Sequence, residues 1–193
     1  MKCISAGLAA AIALMGFPAP ALAADNLACI EEGYSGAELA SFSSFYDSFQ
    51  VAELENGPSP EIVAAVTRRA GECAELHGWS GEAIEDAVFY RFAFVLHTAL
   101  ERHSPLTPAQ MRRVSDAVAG ADQERLNRIM GDVVEAAMNG QPAPEQSESD
   151  MIFVGRVLLR SGVPMTQGNG EYIGALIGAR VMGERVRQRF ATR

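Results

Sequence analysis

Helix start signals punctuate this chain at short intervals. Ser35-Gly36-Ala37-Glu38 and Thr107-Pro108-Ala109-Gln110 have the form of capping boxes, in which a hydroxyl and an acid or amide exchange hydrogen bonds across one turn. Ser59-Pro60-Glu61 places Ser at an N-cap and Pro at the first helical position, and Ser80 and Asp122 stand as further caps. Behind each cap, apolar residues recur every three or four positions, as in Leu39, Phe42, Tyr46 and Phe49. Stop signals close the segments at Asn56-Gly57-Pro58, Gly78, Gly120 and Asn139-Gly140. The pattern predicts an all-α protein of about seven helices, either a bundle or stacked helical hairpins.

The helix from Ser80 to about Arg102 is expected to be central. Ile84, Ala87, Val88, Arg91, Phe92, Val95, Leu96 and Ala99 share one face, and Phe89 and Phe94 widen it. In the helix before it, Ile62, Val63, Val66, Ala70 and Cys73 form the expected buried stripe. Residues 141–148 read as a surface loop, 152–159 as part of a sixth helix, and Gly162 to Gly170 as a glycine-rich turn. The last helix carries Tyr172, Leu176, Ala179, Gly183, Val186 and Phe190 on one side, with Gly174 and Gly178 offering small surfaces to an approaching helix. Intramolecular docking accounts for this stripe, and a homodimer seam over 172–190 is the alternative.

Residues 1–23 read as a secretory signal peptide. Lys2 precedes an uncharged apolar run from Ile4 to Phe17, then Pro18-Ala19-Pro20 and a small-residue cleavage site at Ala21-Leu22-Ala23. The expected mature chain is one helical domain over 24–193, periplasmic or extracellular, with no membrane anchor left after cleavage. Cys3 leaves with the signal. Cys29 and Cys73 remain, an even pair in an oxidising compartment, and are expected to form one disulfide.

Charge excludes several chemistries. Lys2 is the only lysine, so cleavage moves the net charge from −8 to −9 and leaves arginine as the sole basic type apart from His. A Schiff-base lysine, a phosphate-loop lysine and a Ser-x-x-Lys nucleophile are therefore absent from the mature chain. An acidic protein is repelled by nucleic acid, so no nucleic-acid partner is expected. The charge is uneven: residues 25–104 hold 14 acidic and 4 basic side chains, and residues 105–193 hold 10 and 11. Arg180, Arg185, Arg187, Arg189 and Arg193 crowd the C-terminus and read as solvated cations suited to a helix end, with contact to an acidic partner or an anionic membrane surface as the alternative.

Candidate chemistry is sparse. The Gly-aromatic-Ser-Gly segments at 33–36 and 78–81 lack the second glycine spacing of a nucleophile elbow. They do echo one another: at an offset of 45, Leu39 matches Ile84, Phe45 matches Tyr90 and Phe49 matches Phe94. This suggests two related helical pieces. His97 and Glu101 lie one helical turn apart and could share a metal ion, which His77 could join through tertiary approach, while His103 points elsewhere. Glu82, Glu85 and Asp86 sit early in a helix, where the dipole favours negative charge. The six methionines of the mature chain read as core filler.

Leu106-Thr107-Pro108-Ala109-Gln110 resembles the motif of the LTxxQ family of periplasmic stress-response proteins. That resemblance implies a small, exported, all-helical protein acting as a chaperone or metal-stress sensor, and no functional residue is carried over from it. The expectation from the residues themselves is a non-enzymatic protein- or peptide-binding module needing no cofactor. If it binds through an apolar groove, Phe42, Phe45, Phe49, Trp79 and Phe89 are the candidate linings. The alternatives are the metal or stress-response reading and an enzyme whose carboxylates assemble only in three dimensions.

Overall fold

The computed structural model describes residues 24–193, so the signal-peptide reading of residues 1–23 lies outside the described residues. The fold is all-helical: α1 (Gly36–Ser48), α2 (Pro60–His77), α3 (Gly81–Arg102), α4 (Pro108–Ala119), α5 (Gln123–Met138), α6 (Glu148–Arg160) and α7 (Gln167–Phe190). Short 3-10 turns, Leu27–Glu31 and Val51–Asn56, precede α1 and α2. Among the described residues no helix is long and apolar enough to cross a membrane.

Caps set the helix starts. Ser35 Oγ accepts from the Glu38 N–H at 3.3 Å while the Glu38 carboxylate accepts from the Ser35 N–H at 2.7 Å. Thr107 and Gln110 repeat the box at α4, at 3.3 and 2.8 Å. Losing one such cap costs about 1 kcal/mol. Gly78 ends α2 in the left-handed region at φ 70, and its N–H reaches Ala74 O at 2.7 Å. Gly is the residue that adopts this geometry without a Cβ clash.

Two boundaries depart from the sequence reading. The first helix stops at Ser48 rather than near Asn56, because Phe49 turns to extended backbone at φ −60, ψ 133 and buries its ring. Ser41 and Ser48 donate to the carbonyls four residues back, a competition that weakens this helix without any Gly or Pro to announce its end. The expected turn over 162–170 is shorter. Thr166 caps α7 by accepting from the Asn169 N–H at 3.2 Å, so Gly168 and Gly170 lie inside the first helical turn.

One apolar core draws on every helix: Phe42 from α1, Ile62 from α2, Ala87 from α3, Val114 from α4, Leu126 from α5, Val157 from α6 and Tyr172 from α7. The α3–α7 pair forms the most extensive packing. Helix α5 lies on α7, α1 and α2 on α3, and α6 on α4. Val63 and Phe94, expected inside, are 39% and 46% exposed. Arg91 is buried at 7%, and its guanidinium sits 5.0–5.2 Å from the ring centroids of Tyr34, Phe42 and Phe94. An aromatic cage of this kind stabilises a buried cation through the ring quadrupoles. Burial in the same cluster raises the Tyr34 hydroxyl above its ordinary pKa, against the opposing pull of Arg91.

Cys29 and Cys73 are joined, with Sγ–Sγ 2.09 Å and Cα–Cα 6.0 Å. The bond ties the Leu27–Glu31 turn to α2, and Arg69 reinforces it by donating to Cys29 O at 3.1 and 3.2 Å. Ser35 caps α1 and Ser80 caps α3. The cysteines before them differ in setting, Cys29 on a 3-10 turn and Cys73 within α2.

The charge asymmetry closes on itself. Arg189 and Arg193, near the end of α7, reach back to Asp86 on α3 at 2.5 and 3.2 Å, and Arg193 also meets Glu82 at 2.8 Å. Arg187 pairs with Glu184 and Arg185 with Glu135. Arg185 lies across Gly131, where any Cβ would fall within 1.9 Å of its guanidinium, and donates to Asn127 O at 3.1 Å. Four of the five C-terminal arginines are thus paired within the molecule while their side chains stay partly exposed to water.

Two carboxylates make folding acid-sensitive. Hydrogen bonds from Arg128, Arg125 and Ser147 pull Asp150 down from 3.8 to about 2, and Arg68 with the Ser35 cap pulls Glu38 from 4.5 to about 2. Both pKa values are lowered by folding, so the unfolded chain binds protons first as pH falls. Their stabilisation is complete above about pH 5 and is lost between about pH 4 and 2. Thermal melts across this range should show the loss, and Asp150→Asn should make the melting temperature less dependent on pH there. An equally steep profile in that variant would remove Asp150 from the explanation.

Candidate functional site

A groove of about 870 Å³ lies between the end of α1, the 54–60 connection, α3, α5 and α7. Aromatic rings line one side: Phe45 and Phe49 at the end of α1, with Phe89 and Phe92 from α3 beside Leu96. Phe45 and Phe49 pack on each other at 5.6 Å between centroids. Met130, Val133, Val134, Ala137 and Met138 of α5 form the opposite wall. Gly174, Ala175, Gly178 and Ala179 of α7 make a floor of small residues, with Met182 at its far end.

The reason the groove is deep lies in that floor. A Cβ built on Gly174 meets nothing within 4 Å, and one on Gly178 meets only the Met130 methyl at 3.9 Å. These glycines leave space open, rather than admitting a neighbouring helix of the same chain as their small size suggested. The groove also gathers three of the six methionines, which were read as core filler. Met is unbranched and polarizable, so a wall carrying Met130, Met138 and Met182 can adapt its shape to an occupant.

Among the described residues, none that lines the groove is ionisable. The side-chain hydroxyls present, Ser48 and Ser59, are both engaged by helices: Ser48 Oγ donates to Ser44 O at 2.9 Å, and Ser59 Oγ accepts from the Ile62 N–H. Such a surface can bury apolar matter, and among the described residues that line it these two hydroxyls are the only side-chain hydrogen-bonding oxygens or nitrogens.

Of the five aromatic candidates, the fold brings Phe45, Phe49 and Phe89 to this groove. Phe49 is also buried in the core, while Phe42 and Trp79 belong to the core alone. Phe42 lies 5.0 Å from the Tyr34 ring, and Trp79 packs edge-on against Phe190 at 5.0 Å while donating from Nε1 to Asp25 O at 2.8 Å. Sequence reasoning missed Phe92, the methionines and the α7 floor. Their signal was present only as a face shared between helices far apart in the chain.

The histidines are dispersed. His97 Nδ1 stands 3.6 Å from Glu101 Oε2, on a helix surface. His77 pairs instead with Asn26 Nδ2 at 3.3 Å and stacks 6.0 Å from Trp79, while His103 meets the Tyr46 carbonyl. Among the described residues no group of three His, Cys, Asp or Glu side chains gathers as a metal site would require. His97 lines a smaller cleft of about 390 Å³ with Tyr90, Phe94, Arg180 and Arg187. A third cleft of about 480 Å³, between α5 and the end of α7, holds Glu135, Glu184, Arg185 and Arg189. Its acids are matched with arginines, and Arg187 and Gln188 hold Glu184 below the ordinary carboxylate range, opposite to what a general acid needs.

Comparison with protein-family models, curated proteins and solved structures found no match to this chain.

Proposed function

We propose that this chain is a non-catalytic binding protein of an exported compartment, and that its working surface is the apolar groove between α1, α3, α5 and α7. The observation that carries this reading is the groove's composition: about 870 Å³ walled by rings, methionines and small residues, with no ionisable side chain among the described residues that line it. The volume lies within the roughly 300–1,000 Å³ of small-ligand sites. An exposed apolar concavity of this size is costly to leave in water, and burying an apolar occupant releases that cost. Export is supported by the signal-like residues 1–23 and by the Cys29–Cys73 bond, a pairing that persists in oxidising compartments.

The test is a fluorescence titration with the uncharged probe 1-N-phenylnaphthylamine. We expect saturable one-to-one binding, weakened at least about tenfold in Ala175→Asp, which sets a carboxylate on the floor and makes burial of an apolar occupant unfavourable. An unchanged circular dichroism spectrum would assign the loss to the groove. Equal binding by the variant, or no binding by either protein, would overturn the assignment.

A further inference from the structure

Helix α6 is apolar nearly all round. Between Asp150 and Arg160 its only charged residue is Arg156. A helix of that composition belongs in a core. Yet α6 packs mainly on α4, and the residues it buries are Asp150 and Val157, on one side. Four of the nine large apolar side chains exposed among the described residues lie on this helix or just after it: Met151, Ile152, Leu159 and Met165. We propose that this face docks the protein on a bilayer containing anionic phospholipid. It is separate from the groove, whose lining includes no α6 residue.

Helical spacing builds the face. Ile152, Gly155 and Leu159 follow at intervals of three and four on the side opposite Val157, and Met151 widens the strip. Leu159 is 67% exposed, and a Cβ on Gly155 would meet nothing within 4 Å.

Charge selects the partner. Arg156 and Arg160 run along one flank of the strip, and neither enters an ion pair among the described residues. Asp150 is taken by Arg125 and Arg128, and Glu148 stands at the helix start. After Asp150 no acid occurs before Glu171, the longest acid-free run beyond residue 25. Cations beside an apolar strip complement an anionic interface. The apolar side chains enter the acyl boundary, and the arginine stems lie along it with their guanidinium groups among the phosphates. The surplus acid of the chain sits in residues 25–104, and charge more than about 8 Å from the face is largely screened at physiological ionic strength.

Shape agrees with this partner. The strip lies along the crest of a helix, and none of the three concavities described above takes a lining residue from α6. The side chains of a protein partner find no pocket there to fill. A fluid interface conforms to a ridge.

Vesicle flotation tests the proposal, using the chain from residue 24 onward so that the apolar run of residues 4–17 cannot contribute. Vesicles of phosphatidylcholine and phosphatidylglycerol in equal parts are compared with pure phosphatidylcholine. We expect binding to the mixed vesicles that weakens as salt is added, and weaker binding to the neutral ones. Arg156→Gln combined with Arg160→Gln should weaken binding to the mixed vesicles roughly 25-fold, about fivefold for each arginine. Leu159→Asp should weaken it at least about tenfold, the loss of one buried leucine. All three positions are exposed, so melting temperatures should stay within about 2 °C of the parent, and groove binding of 1-N-phenylnaphthylamine should be unchanged. Equal binding to both vesicle types, binding that Leu159→Asp leaves intact, or no binding by the parent chain would overturn the proposal. A dimer in sedimentation velocity that Leu159→Asp dissociates would also overturn it and give the face to a second copy of the chain.

Discussion

Replacing Cys29 and Cys73 together by serine is expected to lower the melting temperature by about 8–16 °C. The ring they close spans about 45 residues, and the chain-entropy account gives roughly 4 kcal/mol for a loop of that length. For a domain of this size each kcal/mol corresponds to about 2–4 °C. Reduction of the wild-type protein by dithiothreitol should produce the same drop, which separates loss of the cross-link from any effect of the serines. The native segment has other tethers. Ile30 is fully buried, Arg69 holds Cys29 O, and the Trp79 indole holds Asp25 O. The reduced protein should therefore keep its helical circular dichroism and its protection of residues 24–34 from protease at room temperature. Early cleavage in that segment would show that the disulfide holds the folded state directly, and not mainly by restricting the unfolded chain.

The same segment shows what could be read from residues alone. Caps at Ser35, Ser59, Ser80, Thr107 and Asp122 are local chemistry, fixed by four or five consecutive residues, and each begins a helix where the sequence placed it. The cysteine pair was legible for a similar reason, since only two remain once Cys3 is set aside. The end of α1 was not legible, because its cause is a ring at Phe49 seeking the core, a tertiary demand that overrides helix periodicity. The groove was partly legible. Phe45, Phe49 and Phe89 announce themselves as large apolar residues, but nothing in a single helix distinguishes them from Phe42, which the core absorbs. Gly174 and Gly178 carry the opposite ambiguity. Small residues four apart on a helix suit both a close helix contact and an empty floor, and only the placement of α3 and α5 decides between them. The methionines follow the same logic, being scattered in sequence and gathered in space.

Asp86→Ala is expected to cost about 2–3 kcal/mol, more than its position in the chain suggests. As one of three acids near the start of α3, Asp86 would contribute to the helix dipole at most about 1 kcal/mol, and that effect fades beyond the first turn. In the folded protein its carboxylate is 3% exposed and bridges Arg189 and Arg193, more than 100 residues away, at the end of α7. Removing one partner of a fully buried ion pair costs about 3–5 kcal/mol. The two arginines are 42% and 32% exposed, so they recover water and the cost falls below that range. The effect should be structural as well as energetic. Phe190, one residue beyond Arg189, packs against Trp79, the only tryptophan, so release of the last turn of α7 should change its fluorescence before global unfolding. A double-mutant cycle of Asp86→Ala with Arg189→Met decides between the two accounts. Coupling of at least about 1 kcal/mol identifies a cross-brace joining the acidic and basic halves of the chain, whereas additive effects would return Asp86 to an ordinary helix-dipole role. The cross-brace has a consequence for the groove. It fixes the far end of α7 to α3, and these two helices supply the floor and the aromatic wall, so loosening it should weaken probe binding without any change to a lining residue.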